Sequence, residues 1–298
     1  MSIFSPLDYA LIVLGLVAAW SMGHHYAGAV VGPAYGSRSL AMYTAILISG
    51  AFVILGAVST RVVTTYVSLA LVPPLYQTAA LLSLVIMTNV TTFLKIPTST
   101  IQLYAFSLLG VAYETDSRVN YIILGLLVVG WVAAPTLSFG LSRGIFRVLR
   151  ESKHLRYVII GVMMYSGLVL GLNDVSNAAS SLVSSGIDPL FSKAICGIAM
   201  FAGMLIFGPR LIKLVGEEMI KMDFKTAASA QLTKSIIISA LNALGLNASI
   251  NQTMVTSLAS LGARRNVLKG ILQGWIYSPL IGFGSAFVFA FILKILFV

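Results

Sequence analysis

Charge is what this sequence has least of. Only 9% of its 298 residues are Asp, Glu, Lys or Arg, against about a quarter in a soluble domain. So small a supply cannot cover a water-facing surface, and lipid becomes the natural solvent. Acids are scarcer still, nine against 19 Lys and Arg, for a formal net charge of +10. That excess does not point to nucleic acid, because the basic residues cluster between apolar runs instead of interleaving with aromatics on a polar face. There is a single cysteine, Cys196, inside an apolar run, which excludes an intrachain disulfide. No metal-ligand spacing, nucleotide-binding loop or nucleophile–base set is present, so no enzyme and no resident cofactor is expected. The opening MSIFSPLDYALIVLGL lacks a basic leader and a small-residue cleavage site. It is expected to be a retained membrane segment.

Hydrophobic residues make up 58% of the chain. They fall in runs at about Leu7–Ser21, Leu40–Val58, Leu75–Leu94, Ile101–Ala112 and Tyr121–Phe139. A second set lies at about Tyr157–Leu172, Leu190–Phe207, Thr226–Leu246, Thr253–Leu261 and Ile271–Val298. A span needs about 20 residues. Several runs are shorter and flanked by Gly, Pro, Asn or Ser. Two segments in each half are therefore expected to be broken or re-entrant helices, tolerated only inside protein or beside a wet cavity. The stretch Lys213–Lys225 reads as a short interfacial helix.

The most basic loop, with Arg143, Arg147, Arg150, Lys153 and Arg156, marks a cytoplasmic linker. Five crossings per half then place Arg38, Lys95, Arg210, Lys213, Lys221, Lys225, Arg264, Arg265 and Lys269 inside. Glu114, Asp116, Arg118 and both termini fall outside. The halves also echo each other at an offset of 148 to 150 residues: Gly23–Ala29 with Gly171–Asn177, Ser59–Arg61 with Gly208–Arg210, and Ile96–Gln102 with Leu246–Gln252. An odd number of crossings inverts the second copy, a recurrent transporter plan. The expected architecture is an all-α integral membrane protein of two inverted repeats, residues 1–142 and 157–298, joined by a cytoplasmic linker at 143–156.

Two constellations carry chemistry. Asp174 lies in an apolar run beside Asn173, Ser176, Asn177 and Ser180. A carboxylate there costs roughly 2.5–3.5 kcal/mol on insertion scales unless it is paired or binds a cation. Asn173, Asp174 and Asn177 are candidates for a coupling sodium ion or proton, against a bland reading as polar glue between helices. The second constellation is the pair of segments after Pro97 and Asn247. There Ser99, Thr100 and Gln102, and Ser249, Gln252 and Thr253, precede apolar runs in the manner of half-helix starts. Free N–H groups and a positive dipole end suit an oxyanion, and two such ends would grip it from both sides. Ordinary capping needs only one Ser or Thr per helix. His24 and His25 are candidates for proton coupling or for membrane-interface histidines. Lys234 is a candidate counter-charge, although snorkelling to the cytoplasmic edge is slightly favoured.

At these residues the chain resembles the inorganic phosphate transporter family, whose signature Gly-x-Asn-Asp-x-x-Asn matches Gly171, Asn173, Asp174 and Asn177. A second hallmark, Pro-x-Ser-Thr-Thr-His, is similar to Pro97, Ser99 and Thr100, with Ile101 and Gln102 departing from it. The first half reads Gly23-His24-His25-Tyr26-Ala27-Gly28-Ala29 and has lost the Asn and Asp. The second half has Asn247 and Gln252 where Pro and His are expected. Gly32–Ser37 is similar to a sulfate-carrying branch. The resemblance implies a secondary transporter of inorganic phosphate, coupled to sodium or protons and working by alternating access. It also implies a multi-pass plasma-membrane protein with both termini outside, embedded in the lipid bilayer, and a homodimer. Coupled sulfate transport is the alternative within the family. A non-transporting oxyanion sensor or regulatory subunit, or a passive channel, are alternatives of other classes.

Overall fold

In a computed structural model, residues 4–59, 69–244 and 248–297 are described. Arg61, Leu246 and Asn247, and the side chain of Ser176, lie outside the described residues. The first half comprises α1 (Pro6–Gly36), α2 (Met42–Ser59), α3 (Pro74–Phe93), α4 (Thr100–Glu114) and α5 (Tyr121–Val148). The second comprises α6 (Leu155–Ser184), α7 (Pro189–Ile206), the short α8 (Pro209–Lys213) continued by a π-helical turn at Leu214–Glu218, α9 (Phe224–Ala243), α10 (Ile250–Ser260) and α11 (Arg265–Phe297). Starts follow local chemistry. A Ser5–Asp8 capping box and Pro6 open α1, Asn120 caps α5, and Asp188 with Pro189 opens α7.

Ten of these helices stand at the ten apolar stretches, and seven are long and apolar enough to cross a membrane. Of the others, α4 and α10 have 15 and 11 residues, too few to span about 30 Å of hydrocarbon. The third, α9, has the length but carries Gln231 and Lys234 in its middle. The chain is a multi-pass membrane protein, with large apolar side chains such as Val132, Ile276 and Leu296 exposed on its outer helices.

The structure corrects one expectation about interruption. α1 runs unbroken past Ser21 to Gly36, and α6 past Leu172 to Ser184, so the signature segments lie inside continuous helices. His24, His25, Asn173 and Asp174 sit there because neighbouring helices enclose them, which supplies the partners that lipid cannot. Interruption falls instead between α3 and α4, and between α9 and α10.

Packing repeats itself between the halves. α1 lies on α7 as α6 lies on α2, α1 on α3 as α6 on α9, and α11 on α4 as α5 on α10. The contacts match residue for residue. A Cβ added at Gly23 would come within 1.9 Å of the Met200 carbonyl oxygen, and one at Gly171 within 2.1 Å of that of Val53. A Cβ added at Gly203 would lie 1.9 Å from the Trp20 carbonyl oxygen, and one at Gly56 2.1 Å from that of Leu168. Only glycine allows these backbones so close, as at other membrane helix interfaces.

Polar contacts join residues that the charge pattern places on one side. At one end Lys95 Nζ bonds Glu218 at 2.6 Å, Tyr35 bonds Glu217, and Arg156 bonds the Ser39 carbonyl. At the other, Lys294 bonds Glu114 and Ser185 bonds the Asp8 carbonyl.

Gly203→Ala forces α1 and α7 apart, and we expect a loss of about 1–3 kcal/mol. Gly140→Ala meets nothing within 4 Å and should gain up to about 1 kcal/mol from helix propensity. Thermal unfolding in detergent checks both, and equal midpoints for the two variants would refute the close-approach argument.

Candidate substrate site

The starts of α4 and α10 meet in the interior. Ser99 Oγ accepts the Gln102 N–H at 3.2 Å, and Ser249 Oγ accepts the Gln252 N–H at 3.3 Å. Both serines are therefore N-caps, as the bland reading required, yet each hydroxyl retains its hydrogen. The glutamines that follow bond one another reciprocally. Gln102 Nε2 donates to Gln252 Oε1 at 3.3 Å, and Gln252 Nε2 donates to Gln102 Oε1 at 2.8 Å. Each amide oxygen is thus engaged while one N–H per glutamine remains to donate.

The other residues singled out from sequence divide. Thr253 spends its hydroxyl hydrogen on the Ser249 carbonyl of its own helix, at 2.7 Å. Thr100 Oγ1 lies 2.6 Å from the Tyr26 hydroxyl, and that hydroxyl also bonds the Asp174 carboxylate. With Asp174 ionised the phenol donates to it, so Thr100 donates to the phenol oxygen. Tyr26 therefore ties the acid on α6 to the first turn of α4. Asn173 Nδ2 reaches Asp174 Oδ2 at 3.2 Å, while Asp174 Oδ1 and Asn177 Oδ1 have no hydrogen-bond partner among the described residues. Asp174 is fully buried. Two acceptors are left over in an enclosed place, which is what a cation or a proton needs.

The two histidines are buried between helices and do not sit at an interface. His25 Nε2 accepts the Thr98 N–H at 3.1 Å, which leaves Nδ1 to donate to Thr92 Oγ1 at 2.7 Å. That pair of bonds assigns the neutral Nδ1–H tautomer and spends His25 on the tip between α3 and α4. His24 bonds Asn89 at 3.1 Å. Lys234 does not snorkel. It is 2% exposed, with Nζ donating to the Ala29 carbonyl at 2.8 Å and to Ser166 Oγ. Its face of α9 packs against α1 and α6, which leaves the ammonium no path to water.

Three contributors were not singled out from sequence. Asn251 Nδ2 donates to the Thr98 carbonyl at 3.0 Å, and Trp275 Nε1 to that of Pro97 at 2.9 Å. The third is Tyr26. Its signal was available, since it occupies the repeat position of Asp174, where the loss of an acid drew attention away from what replaced it. Trp275 has no such signal, because only the fold brings α11 to the tip.

A site with convergent N–H and O–H donors from two helix starts, and one enclosed carboxylate beside them, can bind a small oxyanion together with a cation or proton. The sulfate permease CysP of Bacillus subtilis is 24% identical, over 95% of this chain and 87% of its own length. A protein of Methanocaldococcus jannaschii named for phosphate permease activity is 22% identical, over 93% and 95%. A solved structure, a sodium-dependent phosphate transporter, superimposes with a TM-score of 0.84 over 98% of this chain and 100% of its own, at 16% identity, which shows a shared fold. The sequence profile of the phosphate transporter family matches residues 22–165 and 150–269, and the chain belongs to that family.

Proposed function

We propose that this protein is a secondary active transporter, not an enzyme, that carries inorganic phosphate with sodium ions or protons by alternating access. The observation that carries the reading is the pair of capped half-helix starts, cross-linked through Gln102 and Gln252 and tied by Tyr26 to the buried Asp174. Ser99, Gln102, Ser249 and Gln252 contact the oxyanion through their side chains, and Thr100, whose hydroxyl is spent on Tyr26, through its backbone N–H at the start of α4. Thr253 holds the first turn of α10. Asp174, Asn173 and Asn177 take the coupling ion. CysP, matched over 87% of its own length and named a sulfate permease, favours coupled sulfate transport as the second reading.

Residues 1–142 and 157–298 form the two inverted repeats, which move against each other around the site. The matched glycine contacts at Gly23 and Gly171, and at Gly56 and Gly203, support this division. The grouping of Lys95 with Glu218, and of Lys294 with Glu114, supports a plasma-membrane topology with both termini outside. Dimerisation through a lipid-facing helix is consistent with the exposed apolar surface.

The reading is checked with labelled phosphate and purified protein in proteoliposomes, with sodium and pH gradients imposed separately and unlabelled sulfate as competitor. Accumulation under one gradient is expected, and binding without flux would make the protein a sensor. Asp174→Asn should lower gradient-driven accumulation by about tenfold or more, equivalent to about 1.4 kcal/mol; unchanged accumulation removes Asp174 from coupling. Tyr26→Phe leaves Asp174 and Thr100 short of a partner. It should lower stability by about 1–3 kcal/mol in detergent, and no change in midpoint would show the bridge to be idle.

A further inference from the structure

Among the described residues the fold buries two fully charged types of side chain, Asp174 and Lys234. They are not paired. The Lys234 ammonium donates to a carbonyl and a hydroxyl, and neither ion pair found in the described chain includes it. A lone ammonium in the middle of a membrane is costly, and its natural neutraliser is an anion that comes and goes.

Its position fits that task. Lys234 sits midway along α9, the helix that leads into the Ser249–Gln252 start. Its acceptor Ala29 lies one turn of α1 beyond His25, whose carbonyl lies 3.4 Å from Asn251 Nδ2 in the first turn of α10. One turn is about 5.4 Å, so the ammonium stands close behind the oxyanion cradle, in a place without water to screen it. Near it on α9, Gln231 Oε1 and the hydroxyls of Ser229 and Ser235 have no hydrogen-bond partner among the described residues.

Lys234 also breaks the symmetry of the halves. The matching register in the first half falls at the apolar Leu84, and the position matching Asp174 holds Tyr26. Relative to a site with an acid in both halves and a lysine in neither, this one is more positive by two charges. We infer, resting on the proposed transport of an oxyanion, that Lys234 is a fixed counter-charge for a doubly charged tetrahedral anion and takes the place of one mobile coupling cation. Hydrogen phosphate and sulfate share that chemistry.

The titratable groups on the helices packed against α9 are Asp8, Tyr9, His24, His25, Tyr26 and Tyr35 on α1, Tyr121, Arg143 and Arg147 on α5, and Arg156, Tyr157, Tyr165 and Asp174 on α6. The test is therefore run at one pH. Proteoliposomes with the full chain take up labelled sulfate or labelled phosphate while charge movement per anion is recorded. Lys234→Gln keeps an N–H for the Ala29 carbonyl but loses the charge. It is expected to weaken apparent affinity for the transported anion by about tenfold or more, or to retain affinity with one further positive charge entering per anion. Lys234→Arg is expected to keep the wild-type ratio. Wild-type affinity and charge ratio in a folded Lys234→Gln protein would overturn the inference. So would aggregation of Lys234→Gln and Lys234→Met beside a folded Lys234→Arg, which would make the charge purely structural. Failure of the wild-type protein to move either anion would instead overturn the proposed transport.

Discussion

The backbone of Pro97 and Thr98 is interrupted inside the protein and has to be satisfied there. The Thr98 N–H goes to His25 on α1, its carbonyl takes Asn251 from α10, and the Pro97 carbonyl takes Trp275 from α11. In water each bond would contribute about 1 kcal/mol net, because solvent is the alternative partner. In hydrocarbon the alternative is an orphaned peptide group costing several kcal/mol. The tip is thereby fastened to helices from both halves, and the donors that remain at Ser99 and Gln102 are held in a fixed direction. The candidate site is a by-product of that satisfaction. Side chains that complete the backbone also aim the spare hydrogens.

The scaffold around the tip is built twice. Glycines at 23, 56, 171 and 203 let α1 meet α7 and α6 meet α2 at backbone contact, and an interface of that kind has little tolerance for intermediate spacings. Both close contacts cross from one half to the other, α1 to α7 and α2 to α6. What is not matched is the chemistry. Tyr26 faces Asp174, so the paired position holds one phenol and one carboxylate, and the phenol's hydroxyl spans the halves. A phenol cannot supply a second negative charge near neutrality, and it can donate as well as accept. The first half thus contributes a bridge where the second contributes a charge.

Much of this was readable from the sequence, because lipid imposes length and polarity rules on helices. The ten runs, the cap residues Ser99 and Ser249, and the isolated acid at 174 all follow from hydropathy and capping. The ends of α1 and α6 were not readable. His24, His25, Asn173 and Asp174 look like interruptions when judged against lipid, and only the neighbouring helices show that they are enclosed. The same ignorance of neighbours made Lys234 look able to snorkel. Reciprocity between Gln102 and Gln252 was hidden for another reason. Equivalent residues at equal offsets meet only if they lie near the symmetry axis, and sequence does not locate an axis.

The hydrogen-bond ledger of the site bears on which oxyanion it suits. Ser99 and Ser249 use their oxygens as caps, and the glutamine oxygens accept from each other, so what these groups have left is hydrogen. Spare hydrogens suit a fully deprotonated oxygen. An anion that keeps a proton must also find an acceptor, or leave a buried O–H unmatched at about 1–3 kcal/mol. Among the described residues, Asp174 Oδ1 and Asn177 Oδ1 are the acceptors on the signature segment without a hydrogen-bond partner. A cation bound between them would occupy those lone pairs and leave the anion only donors. A proton on Asp174 would have a related effect, turning an acceptor into a donor. Under the proposed function, coupling ion and substrate would therefore compete for the same oxygens, and the identity of the first would restrict the protonation state of the second.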